Sequence, residues 1–291
     1  MAHRSWLFVP GDSPAKLAKI EACGADCVII DLEDSVVLSR KAAARALTQE
    51  RLSGWKSAPH SPKLYVRVNA LGTGFTQDDL TASISPATTG IILPKAEGGQ
   101  CAGQLAAMMR VAEAHAGLTD GAIKIIAIAT ETARGVLSVG TYAGCSTRLE
   151  AMAWGAEDLS ADVGAREARD SHGRFTHLFA HARTMVLLGA ASAGVAAIDG
   201  IYADFRDEAG LRKECVEALR DGFTGKMAIH PAQIAPINEA FTPSDVTLAR
   251  ARAIIDAFAK AGDVGVISID GKMLDRPHLR LAQRLIAQAN L

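Results

Sequence analysis

The chain has 291 residues, 49% hydrophobic and 22% charged. That apolar fraction is in the globular range, and the length suits two average domains or one large α/β barrel. Thirty-one Lys and Arg against 32 Asp and Glu leave a net charge of −1, so nothing in the charge balance favours a nucleic-acid or anionic-membrane partner. A chain of this length buries a sizeable core without staples. Its five cysteines (Cys23, Cys27, Cys101, Cys145, Cys215) are odd in number, scattered and form no C-x-x-C pair. That pattern argues against a disulfide framework or a zinc ribbon, and predicts a reducing cytoplasm. The opening run to Pro10-Gly11 has no signal-peptide h-region. Met185 to Ile198 is too short, and too rich in Gly, Ala and Ser, to span a bilayer.

Short apolar, β-branched runs recur along the chain, each followed by an Ala/Leu-rich helical stretch. In order they are Trp6 to Val9, Cys27 to Ile30, Leu64 to Val68, Gly90 to Leu93, Ile123 to Ala129, Leu149 to Trp154, Ala197 to Tyr202 and Lys226 to Ile229. Continuous rather than alternating apolar residues predict strands covered on both faces, hence a parallel sheet with helices outside. The turn after the first run reads Val9-Pro10-Gly11-Asp12-Ser13-Pro14 and lacks the G-x-G-x-x-G of a dinucleotide-binding fold. Eight runs therefore predict an α/β protein of the (β/α)8 TIM-barrel type over residues 1–242, with a C-terminal helical and β extension over 243–291. An extended loop is expected from Asp158 to His172-Gly173, before a helix at about Thr176 to Ala193. The extension reads as a helix (Val246 to Ala261), a β-like run (Val264 to Ile269), a turn at Asp270-Gly271 and a helix after Pro277.

All strands of such a barrel point one way, so polar residues at their C-termini line one mouth. Those residues are Asp31, Glu33 and Asp34, then Arg67 and Asn69, Lys95, Glu131, Glu157 and Asp158, and His230. Glu131 and the Glu157/Asp158 pair lie on adjacent predicted strands and offer oxygen ligands suited to Mg²⁺ or Mn²⁺. Arg67 offers a planar fork for a carboxylate or an enolate oxygen. Ion pairs inside the mouth are the competing reading. His177 and His181 have metal spacing on a helix but no evident third ligand, which favours a helix-face role. Cys23 and Cys27 read as packing and Met108-Met109 as core. Leu71-Gly72-Thr73-Gly74 is a weak phosphate signal, and Arg40, Lys41 and Arg45 suit a polyphosphate or a solvated helix face equally.

Seven segments occur in order: Arg4-Ser5-Trp6-Leu7-Phe8-Val9-Pro10-Gly11, Asp31-Leu32-Glu33-Asp34-Ser35-Val36, Val66-Arg67-Val68-Asn69-Ala70, Leu93-Pro94-Lys95, Glu131-Thr132-Ala133-Arg134-Gly135-Val136, Gly155-Ala156-Glu157-Asp158 and Gly225-Lys226-Met227-Ala228-Ile229-His230-Pro231. With Asp270-Gly271-Lys272-Met273-Leu274-Asp275 near the end, the set resembles the citrate lyase β-subunit-like group of the HpcH/HpaI aldolase superfamily. The resemblance implies a Mg²⁺-dependent carbon–carbon lyase acting on a 3-hydroxyacyl-CoA thioester of citramalyl-CoA or malyl-CoA type, assembled as a homotrimer. It implies Glu131 and Asp158 as metal ligands, with Glu131 also at the substrate, and Arg67 as the group that meets the reacting oxygens. Glu33 and Asp34 are implied as carboxylates holding metal-bound water. Asp275 is implied as an acid/base that the extension donates to the neighbouring subunit's site.

Three alternatives stay open: a citrate lyase β subunit acting on citryl-acyl-carrier protein, a class II pyruvate aldolase, and a non-catalytic subunit that binds acyl-CoA or a carrier domain. Thioester dependence separates the second from the main reading, and metal-dependent turnover excludes the third.

Overall fold

Eight short strands pair in parallel, each with the next: β1 (Ser5–Pro10), β2 (Cys27–Asp31), β3 (Lys63–Arg67), β4 (Thr88–Leu93), β5 (Lys124–Ile128), β6 (Leu149–Ala153), β7 (Ala196–Asp199) and β8 (Gly225–Ala228). β8 pairs in turn with β1, which closes the barrel. The structure is a computed structural model, described over residues 3–289. All eight predicted runs are barrel strands, so the (β/α)8 expectation holds.

Alternation of side chains along each strand separates two cores. Trp6, Cys27, Ile29, Tyr65, Ile92, Ile126, Ile128, Ala151, Ala153, Ile198 and Met227 fill the barrel interior. Their neighbours, such as Val28, Ile30, Val66 and Ile91, face the surrounding helices. Each Val, Ile or Met side chain fully withdrawn from water here stabilises the fold by about 1.5–3 kcal/mol. The same alternation carries Phe8, Asp31 and Arg67 into the interior at the C-terminal end of their strands, two residues beyond Trp6, Ile29 and Tyr65.

Helices Pro14–Leu17, Lys41–Ser53, Thr76–Ser83, Gly99–His115, Ala133–Ser138, His177–Ala193, Glu208–Asp221 and Ile234–Phe241 complete the eight units. The loop expected after β6 is partly helical, because Ala156–Val163 forms an α-helix that stops at Gly164 with φ +71. Left-handed backbone there suits glycine and ends the helix. Beyond it a short hairpin bridges Arg169 to Phe175.

A helix at Asp245–Ala261 opens the extension. It leads to an antiparallel hairpin of β9 (Val266–Ile269) and β10 (Lys272–Asp275), followed by helix Arg276–Ala289. The turn between the strands has Asp270 at φ +51 and Gly271 at φ +72, the sign at both positions that a two-residue hairpin turn requires. β10 is an element the sequence reading left out. Among the described residues no helix is long and apolar enough to cross a membrane.

Candidate active site

Asp31 and Arg67 are register partners on adjacent strands. Two-residue alternation points both into the barrel mouth, where Arg67 Nε and Nη2 each donate to the Asp31 carboxylate at 2.7 Å. Asp31 is 1% exposed. Burial alone would raise its carboxyl, but the Arg67 fork holds it below the ordinary carboxylate range. Arg67 Nη1 also lies 3.0 Å from Glu33 Oε2, an ion-pair contact without hydrogen-bond alignment, since that oxygen has no aligned donor. Phe8 lies beneath the guanidinium, 4.7 Å from ring centroid to Cζ. The fork is thus held by two carboxylates of its own chain while still lining the cavity.

Glu131 follows β5 and is 3% exposed. Its Oε2 accepts the Lys95 backbone N–H at 2.5 Å. Its other oxygen lies against Gly155, where an added Cβ would come within 2.9 Å of Glu131 Cγ and 3.1 Å of Oε1. Glycine at 155 is therefore a space requirement of the Glu131 carboxylate. Burial, and then the nearby Glu33 and Asp158 charges, push the Glu131 carboxyl up to about 8 against the partial relief given by the Lys95 N–H. The Arg67 charge offsets only part of this, so a carboxylate so placed is incompletely compensated.

Asp158 sits in the first turn of helix Ala156–Val163. It lines, with Glu131, Arg67, Asp31, Asp34 and Phe8, a cavity of about 230 Å³. Two carboxylates from successive strand ends form an all-oxygen donor set facing open space. That fits a hard divalent cation that keeps several waters; among the described residues no group of three or more His, Cys, Asp or Glu side chains is arranged to hold a metal ion, so a cation here would rest on these two carboxylates and water. A larger cavity of about 390 Å³ lies alongside, sharing Trp154, Glu157 and Ile201. Its one cation, Arg169, is bound to Glu214 at 2.6 Å and stacked on Phe175, so the reactive groups belong to the smaller cavity.

Glu33 and Asp34 come to the same mouth through Lys95. The Lys95 ammonium donates to Glu33, to Asp34 Oδ2 at 2.9 Å, and lies 3.2 Å from Asp158 Oδ1. Burial opposes that charge, but the Glu33 and Asp34 carboxylates outweigh it and hold the ammonium well above its usual range. Burial raises the Glu33 carboxyl, which the two cations partly offset. Lys95 is a residue that the sequence placed at the mouth without a role. It stands at a strand end in a matched segment, but nothing local indicates that its side chain spans three carboxylates.

Other candidates are placed elsewhere. Asp275 does not line its own chain's cavity. It stands at the end of β10 with Oδ1 2.5 Å from His278 Nδ1, a contact that holds its carboxyl below the ordinary range. Lys41 is buried, not on a solvated face, and its ammonium caps the end of β2 through the Leu32 and Glu33 carbonyls at 2.7 and 2.8 Å. Arg45 pairs with Asp79 at 3.2 Å and Arg40 with Asp12 at 3.5 Å. His177 and His181 lie exposed along their helix.

Residues 4–231 match the HpcH/HpaI aldolase/citrate lyase family. The chain belongs to it. A citrate lyase subunit beta from Leuconostoc mesenteroides subsp. cremoris is 34% identical over 290 residues, covering 99% of this chain and 93% of that one. The mitochondrial citramalyl-CoA lyase of Rattus norvegicus is 31% identical over 309 residues, covering 99% of this chain and 86% of the other. Among solved structures, protein CitE from Mycobacterium tuberculosis in complex with magnesium, acetoacetate and coenzyme A superposes with a TM-score of 0.79 at 33% identity, over 100% of this chain and 99% of that one. These three matches run over the C-terminal extension as well as the barrel, whereas the family model ends at residue 231.

Proposed function

We propose that the chain is a Mg²⁺-dependent carbon–carbon lyase that cleaves a 3-hydroxyacyl-CoA thioester of the citramalyl-CoA or malyl-CoA type to acetyl-CoA and a 2-keto acid. The observation that carries the reading is the pairing in one cavity of the Glu131 and Asp158 carboxylates with the Arg67 guanidinium, in a family with a relative crystallised with magnesium and coenzyme A. Glu131 and Asp158 would hold the metal, which when bound supplies Lewis acidity and a template for the oxygens of the hydroxy-acid half. Arg67, anchored by Asp31 and Glu33, presents a fixed positive charge where negative charge develops as the bond breaks. Because its partners already hold the fork, it needs no reorganisation during the reaction. Asp34, which lines the cavity, would orient water at the metal, and the buried Glu33 would support that water through its contacts with Lys95 and Arg67. Five free thiols support a reducing, cytoplasmic setting.

The experiment is a mass-spectrometric survey. Purified protein with Mg²⁺ is offered citramalyl-CoA, malyl-CoA and citryl-CoA, a free hydroxy-keto acid, and an EDTA control. Metal-dependent release of acetyl-CoA with the matching keto acid is expected. Turnover of the free acid alone would point to an aldolase. Silence on all would move the substrate to a carrier protein, or exclude catalysis if citryl-carrier also fails.

We further propose that the protein is a homotrimer in which the extension carries Asp275 to the neighbouring subunit's site as acid/base. The position of Asp275, partly exposed at the end of a hairpin and away from its own cavity, supports this. Mixing an Asp275→Asn variant with a Glu131→Gln variant is then expected to restore part of the activity after subunit exchange. No rescue despite proven exchange would count against a shared site.

A further inference from the structure

Lys95 has a backbone that side-chain-bearing residues rarely adopt, with φ +50. Such a conformation persists where the surroundings over-determine it. Here its N–H is committed to Glu131 Oε2 and its side chain reaches across the mouth to Glu33, Asp34 and Asp158. One residue therefore touches four carboxylates, two of which are the proposed metal ligands. Arg67, the cation that lines the cavity itself, is committed to Asp31 and Glu33. The contact to Asp158 is the longest that Lys95 makes in the mouth with a measured neighbour, 3.2 Å against 2.9 Å to Asp34.

We propose that Lys95 is a positioning residue that stands in for the divalent cation: its ammonium holds Asp158 and balances the mouth in the metal-free protein, and metal binding displaces it from Asp158 on to Glu33 and Asp34. This rests on the reading of Glu131 and Asp158 as the metal ligands. An ammonium and a divalent cation on one carboxylate repel strongly against a low-dielectric wall. A lysine suits the exchange, since its compact charge rides on a flexible four-carbon stem, whereas a guanidinium fork is built to stay. The carboxylates stay in place through the exchange because Lys95 keeps Glu33 and Asp34, and its main chain keeps Glu131.

The test is calorimetric titration of Mg²⁺ into the wild type, Lys95→Met and Lys95→Arg, each checked for folding by circular dichroism. Lys95→Met is expected to bind Mg²⁺ on the order of tenfold more tightly, to melt lower without metal, and to recover on adding it. Lys95→Arg is expected to bind Mg²⁺ several-fold more weakly than wild type, since the charge is retained on a fork that resists displacement. Unchanged or weaker binding by folded Lys95→Met overturns the proposal while leaving the metal site intact. Absence of Mg²⁺ binding in the wild type instead overturns the metal reading, and the proposal with it. The wild type supplies a second readout: the Lys95 Nζ resonance, assigned by its loss in Lys95→Arg, should shift as Mg²⁺ is titrated. A resonance that does not move at saturation overturns the proposal even if Lys95→Met does not fold.

Discussion

Glu131→Gln is expected to weaken Mg²⁺ binding by about 100-fold or more and to lower turnover by a similar or larger factor, with the fold intact. The amide oxygen still accepts the Lys95 N–H, and the swap fits the space that Gly155 leaves. Replacing a carboxyl that the fold keeps protonated near neutral pH costs the metal-free protein nothing, so its melting temperature should hold or rise. The pH dependence follows from the same carboxyl. Its folded value is raised from 4.5 to about 8. Between those values the folded chain keeps a proton that the unfolded chain releases, so metal-free stability falls as pH rises through the window. A metal must displace that proton, so Mg²⁺ affinity should climb towards pH 8 and level off above it. Calorimetry across that range checks both; affinity independent of pH, or unchanged in Glu131→Gln, would sink the ligand assignment.

Arg67→Ala is expected to reduce kcat by about 10²- to 10³-fold, and also to destabilise the protein. A purely catalytic arginine at the mouth would leave stability untouched. The structure predicts otherwise, because Asp31 is 1% exposed and relies on two bonds to the guanidinium. Truncation leaves Asp31 with only the Glu33 and Ser35 backbone N–H groups, and Glu33 with only Lys95, both without the guanidinium that charge-compensates them there. Breaking a buried pair from one side costs about 3–5 kcal/mol, readable as a shifted midpoint in urea. Arg67→Lys should recover part of the stability, since charge is retained, but little of kcat, since the fork is lost. Wild-type stability in Arg67→Ala would show that water reaches Asp31 and that the pair is not the anchor described here.

The sequence by itself determined the barrel. Runs such as Cys27-Val28-Ile29-Ile30 are apolar at every position, and only a strand covered on both faces, by a filled interior and by helices, buries all of them. It also determined where polar chemistry collects, since most of the runs end in charged or ionisable residues and parallel strands send those ends to one mouth. Less of the local detail was legible. Helix Ala156–Val163 is eight residues long with an acidic first turn, too short for periodicity to outweigh its loop-like composition, and β10 offers four residues beside a far clearer Asp-Gly turn. The pairings across the mouth were decided by tertiary structure alone. Asp31 meets Arg67 because β2 and β3 share a register across 36 residues of chain, and Lys95 reaches Glu33 and Asp158 across gaps of 62 and 63 residues. Strand ends specify which charges enter a barrel mouth. Which of them neutralise one another depends on register, stagger and the reach of single side chains, and that geometry exists only once the barrel has closed.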